Sequence, residues 1–153
     1  MRIMINVFIF SFSVVTAMSA LRFVDNQNGT VTDRGTDLVW QKCERGQDPI
    51  YCTGIPSTIT WKSALMYCRA MTLNGKTWRL PNINELRSIV DYSKASPVIN
   101  TVFFPVVVNA NYWTSSSVFG DPTKAWYVDM NLGVVDSALK SSGYYVRCVA
   151  DGP

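Results

Sequence analysis

The spacing of apolar and polar positions changes period several times along the chain, and each change marks an element. Residues 3–15 form one apolar run, broken only by Asn6, Ser11 and Ser13, with Arg2 ahead of it and Thr16, Ala17, Ser19 and Ala20 behind it. Such a run is shorter than the roughly 20 residues of a spanning helix, and a positive start, apolar middle and small-residue end are the marks of a secretory signal peptide. Residues 1–20 are therefore read as a signal, cleaved after Ser19 or Ala20, and residues 21–153 as one binding domain. Short β-prone runs then alternate with turns: 22–25, 30–32 and 38–42, separated by Asn28-Gly29 and Asp33-Arg34-Gly35. An Asn-Gly pair between such runs predicts a tight hairpin with positive φ at both residues.

A helical period follows. Trp61, Ala64, Leu65, Cys68 and Met71 fall on one face of a 3.6-residue repeat, with Lys62, Ser63 and Arg69 opposite, which predicts a helix over 61–71 capped by Thr60. Cys68 thus faces the core. Next, Asn82 and Glu85 have the spacing of a capping box at the start of a second helix ending near Asp91, with Ile83, Leu86, Ile89 and Val90 buried and Arg79 tethered to Glu85. Residues 92–111 carry Pro97, Pro105 and several turn formers around an apolar island at 102–108, the pattern of a long irregular loop held by its own apolar residues. Strand patterns return at 112–116, 125–130, 134–137 and 144–149, with Asn131-Leu132-Gly133 as a hairpin turn. The alternation of Trp126, Val128 and Met130 with Tyr127 and Asp129 predicts one buried face. In 144–149 the alternation is weak. The order of elements gives an α+β fold: two helices packed on a twisted antiparallel sheet, with a long irregular loop region.

Composition narrows the chemistry. The 153 residues contain no histidine, which removes Ser/His/Asp triads, Cys/His dyads and His-ligated zinc together. Without Arg2, 13 of the 14 basic residues face 11 acidic ones, an excess too slight to argue for nucleic acid, whose expected footprint is a clustered basic stripe. No second apolar segment follows the signal, so no membrane span is expected after cleavage. The even set of four cysteines in an exported chain favours two disulfides over a metal site. Three pairings are open. The pairing favoured here joins Cys43 to Cys52, around a loop rich in turn formers, and Cys68 to Cys148 across the domain.

Six ordered motifs carry a resemblance. They are 23–33 (FVDNQNGTVTD), 38–43 (LVWQKC), Trp61 with Ala64, Trp78-Arg79-Leu80-Pro81 with Glu85-Leu86, 112–116 (YWTSS) and 145–149 (YVRCV). Together they resemble the family named after the C-terminal domain of the Legionella collagen-like protein, over residues from about 22 to 149. The resemblance implies a fold similar to C-type lectin-like domains, a disulfide from a helix to the last strand, and an exported, surface-facing binding module. The collagen-like Gly-X-Y stalk of that protein is missing here, so the resemblance carries over no stalk-imposed trimer, although oligomers are compatible with it. Neither the Glu-Pro-Asn or Gln-Pro-Asp loop nor the Trp-Asn-Asp strand of calcium-dependent lectins occurs, so no metal or other cofactor is expected.

The leading functional reading is a non-catalytic adhesion module, secreted, periplasmic or on the cell surface, that binds an extracellular carbohydrate such as a sulfated polysaccharide, or a protein ligand. Stacking aromatics and basic side chains supply that chemistry, and the candidates are Lys94, Trp113, Lys124, Lys140 and Tyr144. Trp113 also reads as a core residue. Two alternatives accompany this reading. One is an enzyme, either similar to formylglycine-generating enzymes, which share an Arg-Leu-Pro step like that at Arg79 and need free cysteines, or a hydrolase using Glu85 with Asp91, Asp129 or Asp136. The other is a structural subunit of an envelope assembly with 102–108 as its interface.

Overall fold

The computed structural model describes residues 21–152, so the signal-peptide reading of residues 1–20 lies outside the described residues. Eight strands and two α-helices form an α+β fold. The strands are β1 (Phe23–Asp25), β2 (Thr30–Asp33), β3 (Leu38–Gln41), β4 (Trp78–Arg79), β5 (Asn111–Val118), β6 (Asp121–Asp129), β7 (Val135–Leu139) and β8 (Val149–Asp151), and the helices are α1 (Trp61–Ala70) and α2 (Ile83–Ser88). All strand pairs are antiparallel. They form two sheets, of order β1-β2-β3-β8-β4 and β5-β6-β7, in place of the single sheet that the sequence pattern predicts.

The split has its cause in the segment before β8. Read as one strand over 144–149, it is used in three ways: Tyr144 bridges to Ile59, Tyr145 bridges in parallel to Tyr112 on β5, and only Val149–Asp151 enters the first sheet between β3 and β4. Val146, Arg147, Cys148, Val149 and Ala150 are all buried in succession, which is why no alternation was visible. The core has two clusters, and each draws on both sheets. Trp40, Leu86, Phe104, Tyr112 and Met130 belong to one cluster, and Trp78, Leu80, Trp113, Ala64 and the Cys68–Cys148 pair to the other.

The first hairpin departs from the type I′ expectation. Pairing ends at Asp25 with Val31, and positive φ occurs at Gln27 and Gly29 rather than at Asn28 and Gly29. A Cβ on Gly29 would lie 2.8 Å from the Pro49 carbonyl oxygen, so this glycine also serves the close approach of the Cys43–Cys52 loop.

Both helices begin where the sequence placed them. Asn82 Oδ1 accepts from the Glu85 amide at 2.9 Å and Glu85 Oε2 accepts from the Asn82 amide at 2.7 Å, a complete capping box. At α1 the Thr60 side chain makes no cap; its hydroxyl donates to Ser63 Oγ. Residues 92–110 contain only turns, bends and isolated bridges, as the pattern predicted, and the apolar island divides: Phe104 is buried while Val102 and Val106 are exposed.

A buried polar knot ties the segment around the end of β3 to β5 and to the segment before β8. Arg147 donates to the carbonyls of Gln41 (2.8 Å) and Lys42 (2.5 Å) and pairs with Glu44 at 3.4 Å. The Glu44 carboxylate also accepts from the Tyr112 hydroxyl and the Val108 amide. Burial raises the Glu44 pKa, and Arg147, Tyr112 and the Val108 amide offset only part of that rise. For Tyr112, burial and the Glu44 charge keep the phenol protonated. A pair this deep is weak support for stability, but removing one partner leaves an uncompensated charge.

Candidate functional site

The sequence-nominated residues do not form one site. Trp113 is fully buried and donates from Nε1 to the Ile59 carbonyl at 3.0 Å, so it offers no ring face to a ligand. Tyr144 is half-buried, with its ring 4.5 Å from that of Trp113 and 5.0 Å from that of Tyr127. Lys140 is engaged three times: its ammonium lies 4.1 Å from the Trp61 ring centroid and donates to Ser117 Oγ and the Pro122 carbonyl, both at 2.9 Å. Lys124, one strand away, sits 3.5 Å from the Asp121 carboxylate. Lys94 is exposed, but it lies in the loop beside the β6–β7 turn, where Tyr92 donates to the Gly133 carbonyl, at the opposite end of that hairpin from Lys124 and Lys140.

The hydrolase candidates are spread over local turns. Asp91, Asp129 and Asp136 accept from the amides of Ser93, Asn131 and Ser137, and Glu85 is held by Arg79 through two bonds of 2.7 Å in addition to the capping box. Arg79 therefore tethers the β4–α2 junction, with Asp151 as a second partner at 2.9 Å. The favoured cysteine pairing is the one formed: Cys43–Cys52 and Cys68–Cys148, with Cα separations of 5.0 and 5.5 Å and no free cysteine among the described residues. Among the described residues, no group of carboxylates and cysteines has the arrangement of a metal site.

What the structure assembles is a cationic face on α1. No Asp or Glu occurs from 49 to 84, while Lys62, Arg69, Lys76 and Arg79 do, so α1 projects from a stretch that carries positive charge alone. Lys62, Met66 and Arg69 are exposed at i, i+4 and i+7, one ridge of the helix, opposite the buried Ala64 and Cys68. Beside the ridge, the Arg45 guanidinium lies 5.7 Å from the Tyr67 ring centroid and donates to Ser57 Oγ. Arg45, Ile59, Ser63, Met66, Tyr67 and Ala70 line a shallow groove of about 420 Å³ on this side. A second groove of about 510 Å³ runs along the other flank, past Leu65, Arg69, Trp78, Leu80 and Ser115. Lys140 and Tyr144 border the start of α1, where the Trp61 amide donates to the Lys140 carbonyl at 3.1 Å.

Within the described residues, Arg45, Lys62 and Arg69 take part in no ion pair, unlike Arg22, Lys42, Arg79 and Lys124. Their charge is available to a ligand. The signal for them was present in the sequence as the carboxylate-free stretch, but it is a pattern of absence and does not register in a count of net charge.

Residues 29–150 match the family model of the Lcl C-terminal domain, whereas no curated protein matches the chain significantly. The match takes in both helices, both disulfides and every strand except β1 and the last residue of β8. With residues 29–150 matched, the chain belongs to the Lcl C-terminal domain family.

Proposed function

We propose that this protein is an exported adhesion module of C-type lectin-like kind that binds an anionic extracellular polymer, a sulfated polysaccharide, along the outer face of α1. The observation that carries the reading is the ridge of Lys62 and Arg69 with Arg45 beside it, free of ion pairs and set in a carboxylate-free stretch. Guanidinium groups suit sulfate because they donate in a planar fork, and the partly exposed rings of Tyr67, Trp61 and Tyr144 can pack against sugar faces. The two grooves flanking the helix suit an extended chain better than a compact ligand. Two disulfides fit an oxidising compartment, and no helix of the described residues is long and apolar enough to cross a membrane. Lys140 and Tyr144 mark one end of the proposed track. Lys94 and Lys124 lie off it. The enzyme reading gains no support, since the four cysteines are paired in two disulfides and Glu85 is committed to its cap.

The test is binding of dextran sulfate against neutral dextran, by titration over a range of salt concentrations. Arg45→Gln with Lys62→Gln and Arg69→Gln is expected to weaken dextran sulfate binding by about tenfold or more and to flatten its salt dependence, because each exposed charge contributes modestly and is screened. Lys94→Gln with Lys124→Gln should change it little. Binding that ignores salt and the triple substitution would overturn the proposal.

A further inference from the structure

The loop closed by Cys43–Cys52 and its return segment carry three large apolar side chains in water: Ile50 is 41% exposed, Tyr51 77% and Ile55 85%. Isolated exposed apolar residues are ordinary, but three within six positions of one loop are not. The loop is also stiff. Asp48 accepts from the amides of Ile50 (2.9 Å) and Tyr51 (2.7 Å), its own amide donates to the Thr53 carbonyl, Gln47 bridges to Gly54, and the disulfide closes the base. Side chains held out by a rigid backbone have little ordering entropy left to lose on binding.

Charge decides between partners. The tip has one carboxylate, Asp48, turned onto those two amides, and none follows until Glu85. Arg45 is the cation nearest in sequence; its carbonyl accepts from the Ser57 amide and its guanidinium donates to Ser57 Oγ, which places it at the base of the return segment. A projecting apolar tip above a cationic base is complementary to a surface that is negative outside and apolar beneath. We propose that Ile50, Tyr51 and Ile55 enter the interface of an anionic phospholipid bilayer while Arg45 and Lys62 rest on its headgroups. Either signal alone gives marginal attachment, and the two together give stable but reversible binding. Tyrosine suits the role because its ring spans the boundary between acyl chains and headgroups. The inference shares Arg45 and Lys62 with the polymer reading but stands on the tip residues Ile50, Tyr51 and Ile55, which that reading does not use.

The experiment is co-sedimentation of the purified protein with vesicles of phosphatidylcholine alone and of phosphatidylcholine mixed with phosphatidylglycerol, alongside dextran sulfate titration. The protein should pellet with the anionic vesicles and not with the zwitterionic ones. Tyr51→Ser with Ile55→Ser should weaken vesicle binding on the order of tenfold or more, from the lost apolar burial, and leave dextran sulfate binding and the thermal midpoint unchanged. No binding to anionic vesicles, or equal binding by the double variant, overturns the proposal. A fall in sedimentation coefficient on the double substitution without vesicles would assign the tip to a second copy of the chain and overturn it too. Absence of dextran sulfate binding by the parent protein, with its vesicle binding intact, counts against the polymer reading only.

Discussion

Asp33 has no solvent-exposed side-chain surface, yet it is held as a carboxylate by four hydrogen bonds, two from Arg22 and one each from the Gly35 amide and the Thr36 hydroxyl. Burial pushes its pKa up, and those donors together outweigh the push, so the net shift is downward. The sign for stability follows. The folded carboxylate takes up a proton less readily than the unfolded one, so its contribution is present above the usual aspartate value near about 4 and is lost as pH falls through the lowered folded value. Asp25 and Glu85 act in the same sense, whereas the raised pKa of Glu44 acts in the opposite one. Asp33→Asn is expected to cost about 1–3 kcal/mol at neutral pH, and the gap from the parent should shrink in acid; denaturant midpoints measured across pH check it. None of this was legible in the residue string, where Arg22 and Asp33 are ordinary charges and Asp33 reads as a turn residue. The hairpin pairing of Phe23 with Asp33 brings them together.

At the scale of the element, the two helix starts show what a local signal can do. Asn82 and Glu85 interact within one turn and need no tertiary help, so the spacing predicted the capping box and the structure contains it. Thr60 has the right position and the wrong contact, because the chain crosses Lys140 and Tyr144 there: their carbonyls accept from Trp61 and Ile59 and supply a partner the sequence could not display. The α2 helix is six residues long and depends on its cap more than α1 does. Asn82→Ala should therefore destabilise the protein by about 1 kcal/mol, read as a lower thermal midpoint, while Thr60→Ala should have a smaller effect. The same limit explains the face of α1. Its buried side was legible from the period of Trp61, Ala64, Leu65 and Cys68, but its outer side acquires meaning only when Arg45, remote in sequence, is seen against Tyr67.

Across the whole molecule, the last buried segment holds the two sheets together. Tyr144 and Tyr145 touch Ile59 and β5, Arg147 reaches Glu44, Cys148 bonds Cys68 on α1, and Val149 pairs with both β3 and β4. The Cys68–Cys148 bridge spans 80 positions and the Cys43–Cys52 bridge 9, and closing the longer loop restricts the unfolded chain more. Cys68→Ala with Cys148→Ala is expected to lose about 4–5 kcal/mol and Cys43→Ala with Cys52→Ala about 2–3 kcal/mol, measured by equilibrium unfolding. Local spacing was enough for both helices, most of the strands, the α+β class and the cap of α2, because these arise within a few residues, and the even cysteine count favoured two bridges. Long-range contacts set the division of the strands into two sheets, the burial of Trp113, the engagement of Lys140 by Trp61, and the place of Arg45 beside the exposed ridge of Lys62 and Arg69. The physical reason is common to all four. Whether a side chain is buried, paired or available depends on neighbours distant along the chain, and nothing in local periodicity encodes which neighbours those are.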